Sequence, residues 1–217
     1  MKIRNYFLAF VCNILLPFSP YLQALPPNIE VQIRNLVRNN PQQLSVVEYA
    51  LIAATLSHKT PCNMLVFGMG RDSSLWITIN EQGTTIFLED NQEWFDRISQ
   101  ENPQINAYLV TYNTQRRQWQ ELLNRNDEAK LLLDLPDVIK EVKWDLIFVD
   151  APEGWSDEKP GRMKSIFTAA KLAHDSKNCH VFVHDCNRNV EAVYCDKFLC
   201  ADNLISTQDR LRHYYIK

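Results

Sequence analysis

Short apolar runs recur along the chain and predict buried β-strands. The clearest runs cover residues 64–67, 84–88 and 144–149, where apolar side chains follow one another without strict alternation. Such runs are typical of parallel strands that helices cover on both faces. Residues 107–111 and 180–183 have the same character. The pattern therefore predicts a mostly parallel sheet.

Amphipathic segments separate these strands and predict the covering helices. Residues 29–37 and a segment capped by Ser45 precede the first strand. The remaining predicted helices cover residues 91–101, 116–125, 162–175 and 189–199, and two closing strands at 204–206 and 211–216 can pair antiparallel. Strands that alternate with helices predict an α/β fold with a doubly wound sheet. An antiparallel closing pair distinguishes Rossmann-like class I methyltransferases from dinucleotide dehydrogenases.

A glycine turn follows the first strand and predicts a binding site for a nucleotide cofactor. Gly68 and Gly70 can take positive φ and lack a Cβ, so a ligand can lie against the backbone. Glu89 and Asp90 end the second strand, where an acidic side chain can accept hydrogen bonds from ribose hydroxyls. The following helix has three capping candidates, Asp72, Ser73 and Ser74. The alternative is a tight turn and a capping acid without a ligand.

Three further polar residues follow the fourth and fifth strands. Asp150 ends one strand, and His184 and Asp185 end the next. Since parallel strands present their carboxyl ends to one cleft, these side chains should converge. Two carboxylates and an imidazole can deprotonate a hydroxyl, and Asp150 and Asp185 can hold Mg, Mn or Co. The alternatives are a capping or cofactor-binding role for Asp150 and a core position for His184.

The loop 150–162 is rich in proline, glycine and polar residues, which favours a shaped loop. Trp155 could stack on a sugar ring. Arg162 could bind a carboxylate through two parallel hydrogen bonds, and Arg188 is a second candidate. The alternative is a solvated lid in which Arg162 pairs with a local acid.

The chain has 217 residues, enough for one α/β domain, assigned here to residues 45–217. A net charge of −3 and a pI of about 6.0 argue against a nucleic-acid partner. Lys2 and Arg4 precede an apolar run at 6–18, and a cleavage site could follow Ala24. Residues 1–24 therefore predict a signal peptide or short signal-anchor. The apolar run itself is shorter than the roughly twenty residues of a comfortable membrane span. A linker and helix fill residues 25–44, and the alternative for the leader is an amphipathic helix packed on the domain.

The chain has six cysteines, of which Cys12 lies in the leader. The other five cannot all pair within one chain. A secreted location would allow Cys62 or Cys179 to pair with Cys195 or Cys200, and buried free thiols are the alternative. Because no C-x-x-C motif occurs, a cysteine zinc site is not expected.

Several stretches together resemble one plant polysaccharide-biosynthesis family, that of glucuronoxylan 4-O-methyltransferases and related glucuronic-acid methyltransferases. The matching stretches are residues 61–70, 87–90, 149–152, 160–163 with 166–170, 181–185 with Arg188, 198–200 and 211–213. The resemblance implies a class I fold that uses S-adenosylmethionine to methylate the 4-hydroxyl of glucuronic acid on a glucuronoxylan-like cell-wall polysaccharide. It also implies a Golgi protein with an N-terminal membrane anchor, or a secreted one, and an association with a divalent metal.

The resemblance also implies roles for individual residues. Gly68 and Gly70 would approach the methionine part of the cofactor, Glu89 would bind its ribose, and the residues at the ends of the fourth and fifth strands would face the acceptor. The chain departs from the expected pattern at residues 153–155 and 186–187. Two rival interpretations remain: a non-catalytic Golgi scaffold of xylan synthesis, and a nicotinamide-dependent oxidoreductase. The second is weakened because Ser73 stands where a third glycine is expected.

Overall fold

The computed structural model describes residues 20–125 and 128–217. Most of the leader predicted at residues 1–24 therefore lies outside the described residues. Residues 20–24 belong to the described part, and there Leu22 packs with Leu25 against the helix Val46–Lys59. Among the helices that are described, none combines the length and the apolar character needed to cross a membrane.

Seven strands form one sheet in the order β3-β2-β1-β4-β5-β7-β6. The strands are β1 (Asn63–Phe67), β2 (Thr84–Glu89), β3 (Asn106–Leu109), β4 (Leu146–Val149), β5 (Cys179–Val183), β6 (Leu204–Gln208) and β7 (Leu211–Ile216). The first five run parallel, and β7 lies antiparallel between β5 and β6. The predicted doubly wound sheet with an antiparallel closing pair is confirmed.

Ten helices of the described residues surround this sheet. They are α1 (Pro20–Gln23), α2 (Pro27–Asn39), α3 (Val46–Lys59), α4 (Ser73–Ile79), α5 (Gln92–Glu101), α6 (Trp119–Arg125), α7 (Glu128–Leu131), α8 (Asp137–Lys140), α9 (Met163–Ser176) and α10 (Asn189–Cys195). A capping box between Ser45 and Glu48 begins α3, as the sequence predicts for Ser45. The helix predicted at 189–199 ends earlier, because α10 passes into a π-helical turn at Asp196–Cys200.

Apolar side chains cover both faces of the sheet. On one face Leu65, Ile147 and Val181 pack against α9, and on the other Val66 and Phe148 pack against α3 and α4. Successive strand residues point to opposite faces, so a strand buried on both faces needs apolar residues at every position. This accounts for the unbroken apolar runs of the sequence.

The five cysteines of the described residues are all free. The pairings predicted for Cys62 and Cys179 are therefore not formed. The thiols of Cys186 and Cys195 do lie close together, with their Sγ atoms 3.7 Å apart in the core. Four of the five are buried free thiols, which was the alternative expectation. Burial raises the pKa of the Cys179 thiol to about 12.

The order of strands reverses between β1 and β4. At such a switch point the flanking helices lie on opposite faces of the sheet, and a crevice opens beyond the carboxyl ends of the strands. The register pairs Phe67 with Val149, and Val149 with Val183. The residues that follow these three are Gly68, Asp150 and His184, which therefore come side by side.

Candidate active site

A cleft of about 760 Å³ lies at the carboxyl ends of the central strands. This volume is within the usual range of small-molecule sites. All the residues predicted from the sequence to form the site line this cleft: Gly68, Gly70, Glu89, Asp90, Asp150, Trp155, Arg162, His184, Asp185 and Arg188. The residues predicted from the sequence therefore converge in one cleft, and the contacts inside it decide what each residue can do.

The glycine turn after β1 forms one wall of the cleft. Gly68 has a φ of 109°, and a Cβ at this position would lie 3.0 Å from the Cβ of Ala151. Other residues rarely adopt this conformation. Gly70 does not have a positive φ, which corrects the prediction for that residue. Its hydrogen makes room for a carboxylate instead, because a Cβ there would lie 2.7 Å from Asp72 Oδ1.

The two acidic residues at the end of β2 differ in their partners, because one carboxylate is hydrogen-bonded to backbone amides and the other forms no salt bridge among the described residues. Glu89 Oε2 accepts a hydrogen bond from the Met69 amide at 2.8 Å, and Oε1 accepts from the amides of Asp90 and Asn91. Glu89 thereby ties the glycine turn to the loop after β2. Asp90 has no salt bridge within the described ranges, and burial together with the charge of Glu89 raises its pKa to about 6.

His184 is held between two carboxylates. Its Nδ1 lies 2.8 Å from Asp150 Oδ1, within hydrogen-bond distance, and its Nε2 lies 3.7 Å from Glu48 Oε1. The Nε2 atom is buried without a hydrogen-bond partner among the described residues. Glu48 comes from the first turn of α3, so this helix closes the back of the site.

Arg162 is buried beneath the carboxylates. Its Nη2 lies 3.0 Å from Asp150 Oδ1 and 2.9 Å from Asp185 Oδ2, and its other donors reach the carbonyl oxygens of Pro152 and His184. Burial by itself would raise the pKa of Asp150, but the charges of Arg162 and His184 hold it below its usual value. The side chain predicted to bind a substrate carboxylate is thus already engaged within the protein.

Asp185 is surrounded by positive charge. Its Oδ2 lies 2.9 Å from Arg162 Nη2 and 3.1 Å from Arg188 Nη1, and its Oδ1 lies 3.2 Å from Arg210 Nη1. The residue also has a φ of 62°, in the left-handed region that non-glycine residues seldom adopt. Asp185 therefore anchors three arginine side chains at the turn between β5 and α10.

Asp150, His184 and Asp185 also form the one group of potential metal ligands found among the described residues, with ligand atoms within 4.8 Å of one another. Asp150 and Asp185 were predicted to bind a divalent metal. However, the Arg162 guanidinium already bridges both carboxylates. A divalent cation between them would meet this buried positive charge, so the residues as arranged do not fit a bridging metal. We infer that Arg162 supplies the positive charge that compensates these two carboxylates.

The loop that follows β4 covers the outer end of the cleft. Trp155 exposes 64% of its surface, and the Nζ of Lys159 lies 5.2 Å from the centre of its ring. Lys159 also pairs with Glu153 at 2.5 Å, and Arg116 holds Asp157 at 2.7 Å. These contacts give the loop a defined shape and leave an aromatic face at the mouth of the cleft.

A comparison with known families gives the decisive match. The model of the family described as IRX15/IRX15L/GXM matches residues 47–131 and 124–214 of the chain. The chain belongs to the IRX15/IRX15L/GXM family. This is a family of polysaccharide O-methyltransferases, and the membership confirms the predicted family and enzyme class, an S-adenosylmethionine-dependent methyltransferase.

Individual relatives agree with the family match. Arabinogalactan O-methyltransferase 1 of Arabidopsis thaliana is 36% identical over 214 residues, which cover 89% of this chain and 74% of that protein. Glucuronoxylan 4-O-methyltransferase 1 of the same plant is 39% identical over 193 residues, covering 81% and 68%. A candidate caffeoyl-CoA O-methyltransferase from Staphylococcus aureus has the same fold, with a TM-score of 0.51 at 16% identity over 90% of this chain and 95% of that chain.

Several residues of this IRX15/IRX15L/GXM member line the cleft but were not predicted as site residues, among them Tyr49, Asp72 and Trp94. Burial and nearby carboxylates raise the pKa of Tyr49. Asp72 was one of three capping candidates and does stand at the N-cap position, but its side chain forms no capping bond within the described structure. Its Oδ2 instead accepts a hydrogen bond from Trp76 at 3.1 Å. Trp94 donates to the carbonyl oxygen of Met69. Only Asp72 carried a sequence signal, its position two residues after the glycine turn.

Proposed function

We propose that this protein transfers a methyl group from S-adenosylmethionine to the 4-hydroxyl of glucuronic acid residues on a glucuronoxylan-like cell-wall polysaccharide. The observation that carries the proposal is the hydrogen-bonded pair of Asp150 and His184, which adjoins the glycine turn of β1 in one cleft. The family membership supports methyl transfer to a polysaccharide, and relatives named for glucuronoxylan and arabinogalactan support a uronic-acid acceptor.

The residues of the cleft fit S-adenosylmethionine. The glycine turn at Gly68 and Gly70 gives access to the backbone, and Asp90 offers a carboxylate that no salt bridge engages within the described residues. We assign the ribose hydroxyls to Asp90, and Glu89 to shaping the loop that presents Asp90, because its oxygens already accept three amide hydrogen bonds. When bound, the cofactor supplies an activated methyl group on a sulfonium.

Asp150 and His184 act as the proton acceptor. The Asp150 side chain is 20% exposed, against 3% for His184 and 6% for Asp185, so Asp150 is the group that reaches an acceptor hydroxyl. His184 lies behind it at 2.8 Å and can share the proton. A positioned base of this kind accelerates a reaction by roughly 10² to 10⁴-fold. Asp185, which was a candidate base, positions arginines instead, because guanidinium groups engage both of its oxygens.

Arg188 and Trp155 are the proposed contacts for the acceptor. Arg188 exposes 29% of its side chain, whereas Arg162 is enclosed by protein groups, so Arg188 is the better receptor for a uronate carboxylate. Trp155 presents an aromatic face at the mouth of the cleft, where a neighbouring sugar ring can stack. The acceptor polymer would then run along the loop after β4.

We also propose that the protein works in the secretory pathway, at the Golgi membrane or as a secreted protein. The support is the basic and apolar leader at residues 1–24. Imaging a full-length fluorescent fusion beside a Golgi marker tests the proposal. A diffuse cytosolic signal would contradict it.

A defined acceptor tests the methyl transfer. Glucuronic-acid-substituted xylo-oligosaccharides are incubated with the full chain and S-adenosylmethionine, and magnetic resonance locates the added methyl group. The matched control is the same oligosaccharide already methylated at the 4-hydroxyl, which should gain nothing. Transfer to glucuronic acid of an arabinogalactan alone would correct the polymer, and cofactor binding without transfer to any uronic-acid glycan would favour the scaffold interpretation.

A further inference from the structure

The side chain of Glu191, on α10, is fully buried, and the proposed reaction gives it no task. Neither of its carboxylate oxygens has a hydrogen-bond partner among the described residues. Its ion pair with Arg188 is loose, because Arg188 Nη1 lies 3.9 Å from Glu191 Oε1, beyond hydrogen-bond distance. Since buried carboxylates normally accept hydrogen bonds, this one calls for an explanation.

Arg188 lies between Glu191 and a second acidic side chain. Its Nη1 is 3.1 Å from Asp185 Oδ2 and 3.9 Å from Glu191 Oε1. The Arg188 side chain lines the cleft and is 29% exposed, whereas the Glu191 side chain has no contact with solvent. A ligand in the cleft can therefore reach the guanidinium of Arg188 while Glu191 stays enclosed by protein.

The loop after β4 covers the Arg188–Glu191 pair. A Cβ at Gly154 would lie 2.9 Å from Glu191 Oε1 and 3.6 Å from Arg188 Nη1. The next residue is Trp155, the proposed stacking surface for a sugar ring. The buried carboxylate thus lies against the segment of the loop that the acceptor is proposed to contact.

The charge of Glu191 depends on the arginines around it. Burial raises the pKa of Glu191 and the charge of Asp185 adds to this, whereas the charges of Arg162 and Arg188 oppose the rise without cancelling it. A ligand carboxylate on Arg188 would bring one more negative charge close to Glu191. Because a like charge disfavours the ionised form, the neutral form of Glu191 would then become more stable.

We propose that Glu191 is a positioning residue that acts through Arg188 and couples the binding of an acidic sugar to the uptake of a proton. When the uronate carboxylate reaches Arg188, a carboxylate oxygen of Glu191 takes one proton from solvent, so the net charge of the cluster does not change. The inference rests on the proposed function, because that function places the uronate at Arg188. It makes the site selective for a charged sugar, since an uncharged one gives Glu191 no reason to bind a proton.

The test counts protons taken up on binding. Calorimetry in buffers of different ionisation enthalpy measures this number for the full chain saturated with S-adenosylhomocysteine. The ligands are a xylo-oligosaccharide that carries glucuronic acid and the uncharged methyl ester of the same oligosaccharide. We expect uptake of up to about one proton with the acid and none with the ester. No uptake with the acid, or equal uptake with both ligands, would overturn the inference.

The same coupling predicts how acceptor affinity depends on pH. Where Glu191 takes up the proton, the affinity for the acid should rise by up to about tenfold for each unit by which the pH falls. Glu191→Gln keeps the shape of the side chain but cannot titrate. It should bind the acid without uptake of a proton and lose most of this pH dependence.

Glu153→Gln is the matched control, because it removes an acid of the same loop that pairs with Lys159. It should keep the uptake. If Glu191→Gln does not fold, Glu191→Met replaces it under the same criterion. Uptake that persists in the Glu191 variant would assign the proton to another group, such as Asp72, whose pKa burial raises to about 6, and would overturn the inference.

Two outcomes separate this inference from the proposed function. Binding of neither oligosaccharide by the unaltered chain would refute the proposed acceptor together with the inference. Binding of the acid without uptake of a proton would refute the inference alone.

Discussion

His184 Nδ1 lies 2.8 Å from Asp150 Oδ1, at the ends of two neighbouring parallel strands. The register of the sheet fixes this relationship, because Val149 of β4 pairs with Val183 of β5 and the next residues come side by side. Since side chains alternate between faces along a strand, a shift of register by one residue would separate the two groups. The pairing of the two strands thus brings together Asp150 and His184, which form the proposed proton acceptor.

Arg162 should matter for stability as much as for catalysis. Arg162→Gln leaves the buried Asp185 and the half-buried Asp150 without the guanidinium that bridges them. Removing one partner of a buried ion pair typically costs about 3–5 kcal/mol of unfolding free energy. Urea denaturation checks this value. Arg125→Gln, which removes an exposed pair with Glu121, is the control and should cost less than about 1 kcal/mol. Equal small losses in both variants would contradict the assigned role.

Gly68→Ala should weaken the fold and the cofactor site together. The new side chain would have to adopt a φ of 109° and would stand 3.0 Å from the Cβ of Ala151. Strained backbone positions of this kind cost about 1–3 kcal/mol. Thermal denaturation measures the loss, and calorimetry measures the affinity for S-adenosylhomocysteine. A variant with unchanged melting temperature and affinity would show that the turn tolerates a side chain.

Trp155→Ala should affect the acceptor and leave the cofactor untouched. The exposed indole lies on the loop after β4, and the glycine turn is built separately from β1. Loss of one stacking surface should raise the KM for the polysaccharide by about tenfold, if the stacking is worth about 1.4 kcal/mol. Trp155→Phe keeps an aromatic face and should retain most of the affinity. An increased dissociation constant for the cofactor would contradict this division of the cleft.

A histidine pair outside the cleft should make stability depend on pH. His180 Nδ1 lies 2.9 Å from His213 Nε2 between β5 and β7. Burial, followed by the charge of Lys59, lowers the pKa of His180 to about 4, and burial with His180 lowers that of His213 to about 3. The unfolded chain therefore binds more protons between pH about 6.5 and these values, so the stabilisation is complete above pH about 6.5 and is lost as the pH falls.

The measurement is urea denaturation between pH 4 and pH 7, on the unaltered chain and on the double variant His180→Gln, His213→Gln. Each titrating histidine contributes up to about 1.4 kcal/mol of unfolding free energy per pH unit. The double variant should lose this part of the slope. Asp72 and Asp90, whose raised pKa values act in the opposite direction, are present in both proteins and cancel in the comparison. Parallel pH curves would show that the pair does not titrate with folding.

The sequence was sufficient to predict most of the strands and helices and the convergence of the candidate residues in one cleft. Apolar runs locate buried strands, and the topology of a parallel sheet brings their last residues, such as Asp150 and His184, into one cleft. Role assignments were less secure, because a role depends on contacts between distant segments. Arg210 reaches Asp185 from the turn between β6 and β7, and Glu48 reaches His184 from α3. No local sequence pattern predicts contacts between residues so far apart in the chain.

Arg162 is the clearest example of a residue whose role depends on its packing. A lone arginine at the end of a loop is a reasonable receptor for a substrate carboxylate, but its burial beside two acids turns it into an internal bridge. The same salt bridges engage the two carboxylates that were predicted to bind a divalent metal. In both cases the residue types suggested the chemistry, and the contacts between distant segments of the chain decided it.

The most direct test is transfer of labelled methyl from S-adenosylmethionine to unmethylated glucuronoxylan by the full chain and by Asp150→Asn and His184→Gln. If the protein is a glucuronoxylan methyltransferase, the unaltered chain should transfer label to the polymer. Each variant should lose about 10² to 10⁴-fold in kcat while its dissociation constant for S-adenosylhomocysteine stays within about twofold. No transfer by a chain that binds the cofactor would contradict the proposed function, and full activity in both variants would contradict the role of Asp150 and His184 as the proton acceptor.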